Sequence, residues 1–283
     1  MLDTLVIGIG PAGLEAGIYL KRYGLDVLVL GKDLGALSLA KDIENYYALP
    51  KMSGNELAMA GLKNALNLGV TINHQEVIGL DFLEKGFSVK TSTNTFEAKT
   101  ILIATGKARN SFSLAKKYEG KGVSYCATCD GFFYRKKKIG LVGYNSYMLH
   151  ELEYLLPLTS DITIFTNGNK LEVELPKDLE VITSKITDLK GTDKLEEVVC
   201  GDQSVKVEGL FIALGSQNAF TLAKHLGLAL SNNDLVVDEN YMTNIPGVFA
   251  AGDVIGGMQQ VVKAASDGAK AANAINKYVR SLK

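Results

Sequence analysis

Leu5-Val6-Ile7, followed at once by Gly8-Ile9-Gly10-Pro11-Ala12-Gly13, constrains this chain more than any other stretch. A short apolar run bounded by glycine reads as a strand buried on both faces. The next residues, Leu14 to Tyr23, carry helical periodicity, and a second apolar run, Asp26 to Leu30, closes the group. Strand, glycine turn, helix and strand make one β-α-β unit, so the fold class expected is α/β with a parallel sheet. Gly8 allows the tight turn, Gly10 lets backbone approach a pyrophosphate, and Gly13 lets helix pack on strand. The helix N-terminus then faces the phosphates. One position is off pattern: the acid expected after the second strand, for ribose hydroxyls, is replaced by Gly31, with Lys32 and Asp33 behind it.

The chain continues in the same idiom. A helix is expected from about Ser53 to Leu68, with Ser53 as its cap and Glu56 three residues on. Residues 86–91 and 95–98 read as a hairpin-like excursion, and Thr100 to Gly106 as a separate buried strand ending in a glycine turn. A basic connector, 107–121, leads to a second β-α-β: a strand from Lys138 to Val142, Gly143, a helix from Tyr147 to Leu156, and a strand from Ile162 to Phe165. Its turn reads Gly143-Tyr144-Asn145-Ser146-Tyr147-Met148, so two of three fingerprint positions carry side chains. Asn145 and Met148 should block a phosphate and push helix from strand. After Phe165 comes Thr166-Asn167-Gly168, with no arginine for a 2′-phosphate. Strands near 181–183, 196–200 and 206–207 are expected to complete one small sheet. Leu210 to Gly215 repeats the form of 100–106, Val248 to Val254 is a buried strand ending at Gly252-Asp253, and an amphipathic helix runs from about Gln260 to Arg280.

Chemistry concentrates in Cys126-Ala127-Thr128-Cys129-Asp130. Two cysteines at this spacing can close a small disulfide ring or open to a dithiol, and an adjacent acid can give a proton to a thiolate. Zinc is the rival, but it wants four ligands, and Cys200, His74, His150 and His225 are scattered without ligand spacing. No metal is expected. An odd count of cysteines argues against a secreted disulfide framework, and no leader or spanning run is evident, so the expectation is a cytoplasmic chain with no membrane partner. A net charge of −1 gives no reason to expect nucleic acid. At 283 residues there is chain enough for about two domains.

Taken in order, Gly8-x-Gly10-x-x-Gly13, Glu44-Asn45-Tyr46, Ala104-Thr105-Gly106, residues 126–133 and residues 247–253 resemble low-molecular-weight thioredoxin reductases over nearly the whole chain. The resemblance implies two Rossmann-like domains, the second inserted into the first: an FAD domain at 1–108 and 216–283, and a redox domain at 109–215. It implies a homodimer acting on thioredoxin. By the same resemblance Gly8, Gly10, Pro11, Ala12 and Gly13 cradle the FAD pyrophosphate, with Thr105, Gly106 and Gly252 beside them. Asn45 and Gln260 would lie near the flavin and Asp253 on the ribityl chain. Cys129 would be the sulfur next to the flavin, Cys126 the one that attacks thioredoxin, and Asp130 the proton donor.

The inserted domain departs from the family by its broken glycine turn and missing arginines, and Ala36 stands where the family has a glutamine near the flavin. This pattern is similar to the ferredoxin-dependent, pyridine-nucleotide-independent branch. An acidic ferredoxin would be steered by a basic surface, for which Arg135-Lys136-Lys137-Lys138 and the group Lys107, Arg109, Lys116 and Lys117 are candidates. Two alternatives stand beside it: an NADPH-dependent reductase with an unusual pocket, and a flavin-bearing redox sensor without turnover. Asp130 counts against the sensor, which needs no proton-transfer acid.

Overall fold

The computed structural model describes residues 1–106, 112–176, 178–214, 219–231 and 234–282. Along the chain run β1 (Leu2–Ile7), α1 (Pro11–Arg22), β2 (Val27–Leu30), α2 (Gly54–Asn67), β3 (Thr71–Asn73), β4 (Val77–Phe82), β5 (Phe87–Thr91) and β6 (Thr95–Ile103). There follow β7 (Val123–Ser124), α3 (Ala127–Asp130), β8 (Ile139–Val142), α4 (Ser146–Leu155), β9 (Ile162–Phe165), β10 (Glu180–Ile182), β11 (Ile186–Lys190), β12 (Glu197–Cys200), β13 (Gln203–Lys206) and β14 (Gly209–Ile212). The chain closes with α5 (Ala219–Leu226), β15 (Leu230–Ser231), β16 (Asp234–Leu235), β17 (Val248–Ala250) and α6 (Val261–Ser281). It divides into two compact units, one of Met1–Ala108 with Asn218–Lys283, the other of Arg109–Gln217.

In the first unit a seven-stranded sheet runs β3-β2-β1-β6-β5-β4, with β17 also on β6. Val6, Val29 and Leu102 pack with α1 and α6 on one face, while Leu5, Ile7, Leu28, Leu30, Ile101 and Ile103 fill the core on the other. Burial on both faces is what makes these strands near-continuously apolar. The hairpin and the buried strand expected around residues 95–106 are one element. β6 pairs with β5 antiparallel over Thr95–Ala98 and with β17 parallel over Ile101–Ile103. Lys99 interrupts the apolar run but not the ladder, which β1 continues on either side of it, and its Nζ meets Asp3 Oδ1 at 2.7 Å. In α2 the expected cap is present: Ser53 Oγ accepts from the Glu56 N–H at 3.2 Å and Glu56 Oε2 accepts from the Ser53 N–H at 2.8 Å. Such a box contributes about 1 kcal/mol.

The second unit holds a five-stranded parallel sheet, β10-β9-β8-β14-β7. The small sheet expected from residues 181–207 is split: β10 joins the parallel sheet, and β11-β12-β13 form an antiparallel sheet of their own. Short strands of mixed polarity carry no signal of which partner they choose. No helix among the described residues is long and apolar enough to cross a membrane.

Candidate functional site

The turn between β1 and α1 leaves room for a bulky anion. Gly8 takes a φ of +125°, and a Cβ there would run into the Ala104 carbonyl at the end of β6. A Cβ on Gly13 would overlap the Gly8 carbonyl. These glycines bring β1, α1 and β6 into backbone contact. Gly10 serves differently, since a Cβ there would meet nothing within 4 Å. It is the N-cap of α1, Pro11 follows it, and no side chain caps the helix. The first-turn N–H groups are left for an outside acceptor. Thr105 Oγ1, close to Gly8, is buried without a hydrogen-bond partner.

Two further segments close on this turn. A Cβ on Gly252, whose φ is +85°, would come 2.9 Å from the Ala12 Cβ. Asp253 follows on a short 3-10 turn, 252–255, that one lysine pins at both ends. Lys263 Nζ donates to the carbonyls of Gly252 at 2.8 Å and Gly256 at 2.6 Å, and pairs with Asp267 at 2.8 Å. Asn45 Nδ2 donates to Gln260 Oε1 at 2.8 Å, and Gln260 is the N-cap of α6. So Gly8, Gly10, Pro11, Ala12, Gly13, Thr105 and Gly252 meet at the first turn of α1, with Gly106 and Asp253 adjoining in sequence. Asn45 and Gln260 form a pair of their own. The missing acid also finds its cause: a Cβ on Gly31 would strike the Ile9 side chain. Lys32 instead pairs with Glu76 at 3.3 Å, and Asp33 Oδ1 takes the Gly35 N–H at 2.7 Å. Bare helix donors, space over Gly10 and an orphaned hydroxyl fit a dinucleotide diphosphate.

The second unit carries the cysteines. Cys126 is 1 % exposed and held in a disulfide, whereas the side chain of Cys129 lies outside the described residues. Ser124 is the hub: its Oγ accepts from the Cys126 N–H at 3.1 Å and donates to Asp130 Oδ2 at 2.6 Å. The Asp130 N–H returns to the Cys126 carbonyl at 3.1 Å, closing α3. Glu151 enters from α4, where Tyr147, Met148, Leu152 and Leu155 share its buried stripe. It is 2 % exposed, and its Oε2 accepts from the Ala127 N–H at 2.6 Å. Burial pushes its carboxyl up to about 7, and the Ala127 hydrogen bond only partly opposes this. Burial, with the charge of Asp130, also raises the Tyr134 phenol.

At the second glycine turn the cap is Asn145, whose Oδ1 accepts from the Met148 N–H at 3.3 Å. The helix thus spends a donor on its own side chain. Met148 does not push α4 off β8, contrary to the expectation. It is wholly buried over Gly143, where a Cβ would collide with its side chain. Of the basic candidates, Lys107 and Arg109 lie outside the described residues. Lys117 reaches Tyr118 Oη at 2.9 Å, Lys137 stands 5.5 Å over the Tyr134 ring, and Lys138 is 3.9 Å from Asp161. Among the described residues no three His, Cys, Asp or Glu side chains gather to hold a metal.

The sequence reading misses Ser124, Glu151 and Lys263. For Glu151 a signal exists: it is an acid at the spacing of Tyr147, Met148, Leu152 and Leu155 on α4. Ser124 and Lys263 act on groups near them in sequence, Cys126 and Asp130 for the one and Gly252, Gly256 and Asp267 for the other, without belonging to any motif.

A family model described as pyridine nucleotide-disulphide oxidoreductase matches residues 2–148 and 168–268. The thioredoxin reductase of Aquifex aeolicus is 31% identical over 99% of this chain and 94% of its own. The crystal structure of the atypical thioredoxin reductase TRi from Desulfovibrio vulgaris Hildenborough is similar, with a TM-score of 0.92, 34% identity and 99% of each chain covered. A ferredoxin-flavin thioredoxin reductase from Clostridium acetobutylicum has a TM-score of 0.75 and 30% identity over 100% of this chain and 99% of its own. The family's flavoproteins carry FAD, the cofactor for which the α1 turn is fitted. With most of its length matched in both units, this chain belongs to the pyridine nucleotide-disulphide oxidoreductase family.

Proposed function

We propose that the protein is a cytoplasmic, homodimeric thioredoxin reductase that draws electrons from reduced ferredoxin through FAD and a Cys126–Cys129 disulfide. The disulfide reductase part rests on the family and on relatives named thioredoxin reductase. The donor rests on one observation: the N-terminus of α1 is open, while that of α4 is closed by Asn145. In this reading the α1 turn takes FAD, and the α4 turn, with Asn145 on one of its N–H groups, is not used by a nicotinamide cofactor. The name of the ferredoxin-flavin relative agrees with this.

In this reading Gly8, Gly10, Pro11, Ala12 and Gly13 hold the pyrophosphate, helped by Thr105, Gly106 and Gly252, and Asp253, Asn45 and Gln260 orient the rest. When bound, FAD supplies the step from single electrons to pairs. Cys129 takes the pair, Cys126 attacks the disulfide of thioredoxin, and Asp130, held by Ser124, gives a proton to the departing thiolate. With Cys126 1 % exposed, the site must open before thioredoxin reaches it.

A second reading has specific support. The family description names a pyridine nucleotide and the curated relatives are called simply thioredoxin reductase, which favours NADPH as donor over ferredoxin.

Single-cysteine variants test the assignment. Cys129→Ser should abolish transfer to thioredoxin. Cys126→Ser should leave a thiolate of lowered pKa against oxidised flavin, seen as a long-wavelength charge-transfer band. The band in Cys129→Ser instead would reverse the two roles, and thioredoxin reduction surviving in both would remove the disulfide from the pathway.

A further inference from the structure

Glu151 is the buried acid that the proposed chemistry leaves unused. It sits on α4, 2 % exposed, and its Oε2 is 2.6 Å from the Ala127 nitrogen. That nitrogen is bonded to the carbonyl carbon of Cys126, so the carboxyl lies within about 5 Å of the Cys126 Cα. No cation pairs with it among the described residues. The titratable groups around it are Cys126 and Tyr125 ahead of α3, Asp130 at the end of α3, and Tyr147, His150, Glu153 and Tyr154 on α4 itself, while β8 beneath α4 contributes none. Burial has already brought its proton affinity to the neutral range. A new negative charge at such range raises that affinity by about tenfold or more.

We propose that Glu151 is the proton reservoir of the disulfide, taking up a proton when the Cys126–Cys129 bond is reduced and returning it when the bond re-forms. The inference rests on the reading that this disulfide is the redox centre. With a small dithiol as reductant the step balances. The dithiol gives two electrons and two protons and closes to its own cyclic disulfide. The S–S bond of the protein breaks, one sulfur becomes a thiol with the first proton, and the other stays a thiolate. The second proton goes to the Glu151 carboxylate. Asp130 remains the donor to the leaving thiolate, and Glu151 acts through the site's charge rather than by touching a reacting atom, as a positioning residue.

The consequence is a pH signature that a packing role would not give. Above about pH 7 the wild type releases no proton on reduction, so its equilibrium constant against dithiothreitol should be flat. In Glu151→Gln, which keeps the volume and an acceptor for Ala127, the second proton goes to solvent. The constant should then rise by up to tenfold per pH unit between pH 7 and 8.5. Glu151→Asp should restore the flat region with its onset moved. The measurement is a redox titration of the FAD-loaded protein, thiols counted by alkylation. Parallel profiles in the wild type and the glutamine variant would overturn the proposal. Should that variant not fold, an onset unmoved in Glu151→Asp would overturn it equally. A protein in which dithiothreitol opens no disulfide would instead defeat the redox reading beneath.

Discussion

At the start of α1 the cap is Gly10, which has no side chain; at the start of α4 it is Asn145, whose Oδ1 takes the Met148 N–H. Both helices follow a buried parallel strand and a glycine, and both pack on their sheets through that glycine. At α1 a Cβ on Gly13 would meet backbone, so helix and strand touch directly. At α4 the contact is made by Met148 lying over Gly143. The same β-α-β frame is therefore built with its first-turn N–H groups uncapped by any side chain at α1, and with one of them taken by Asn145 at α4.

The comparison breaks most visibly at Gly10. Gly10→Glu puts a charged side chain in the phosphate approach, and the purified variant should carry no FAD. Full flavin content in it would mean that the diphosphate lies elsewhere. Gly10→Asn is the finer cut, giving α1 the cap of α4. It should lower FAD affinity at least tenfold while the apoprotein stays as stable as the wild type or gains a little, checked by flavin titration and thermal unfolding.

Next in size is Glu151, a carboxyl of the second unit whose burial penalises its charged form. Burial raises its folded pKa from the ordinary carboxylate range to about 7. A raised carboxyl pKa means that the folded state binds the proton more tightly than the unfolded. The contribution to stability is then intact below about pH 4.5 and lost as pH rises to 7. The full loss is on the order of 3 kcal/mol. Denaturant unfolding at pH 5 and pH 8 should show Glu151→Gln gaining on the wild type by this order as pH rises. A difference that is independent of pH would place the charge of Glu151 outside the energetics of folding.

The smallest effect sharpens the other side. Asn145→Ala removes the α4 cap and should cost about 1 kcal/mol of stability, read from the denaturation midpoint. NADPH binding should not appear in it, because Met148 still fills the space over Gly143 and Thr166-Asn167-Gly168, directly after β9, holds no arginine. Binding gained by this one change would reduce the difference between the turns to the cap alone.

What the sequence makes legible follows from how local the cause is. The glycine turn before α1 and the capping box of Ser53 and Glu56 are written in neighbouring residues, and both local structures form as read. β6 runs on through Lys99 because it pairs with β5, β1 and β17, partners that no single window contains. Gly31 looks like a lost acid until Ile9 is seen to fill its place. Met148 looks like a wedge until the bare Gly143 beneath it is seen to accept it. Glu151 enters the cysteine site only because α4 is laid beside α3.

The central claim is that the chain has one dinucleotide pocket and not two, and the donor decides it most directly. The FAD-loaded protein is mixed anaerobically with NADPH in large excess, and separately with reduced ferredoxin, and the flavin absorbance is followed. Ferredoxin should bleach the flavin, and more slowly as salt rises from about 0.05 to 0.5 M, where screening shortens to about 4 Å; NADPH should leave it oxidised. Rapid bleaching by NADPH alone would contradict the account and give α4 back its nucleotide.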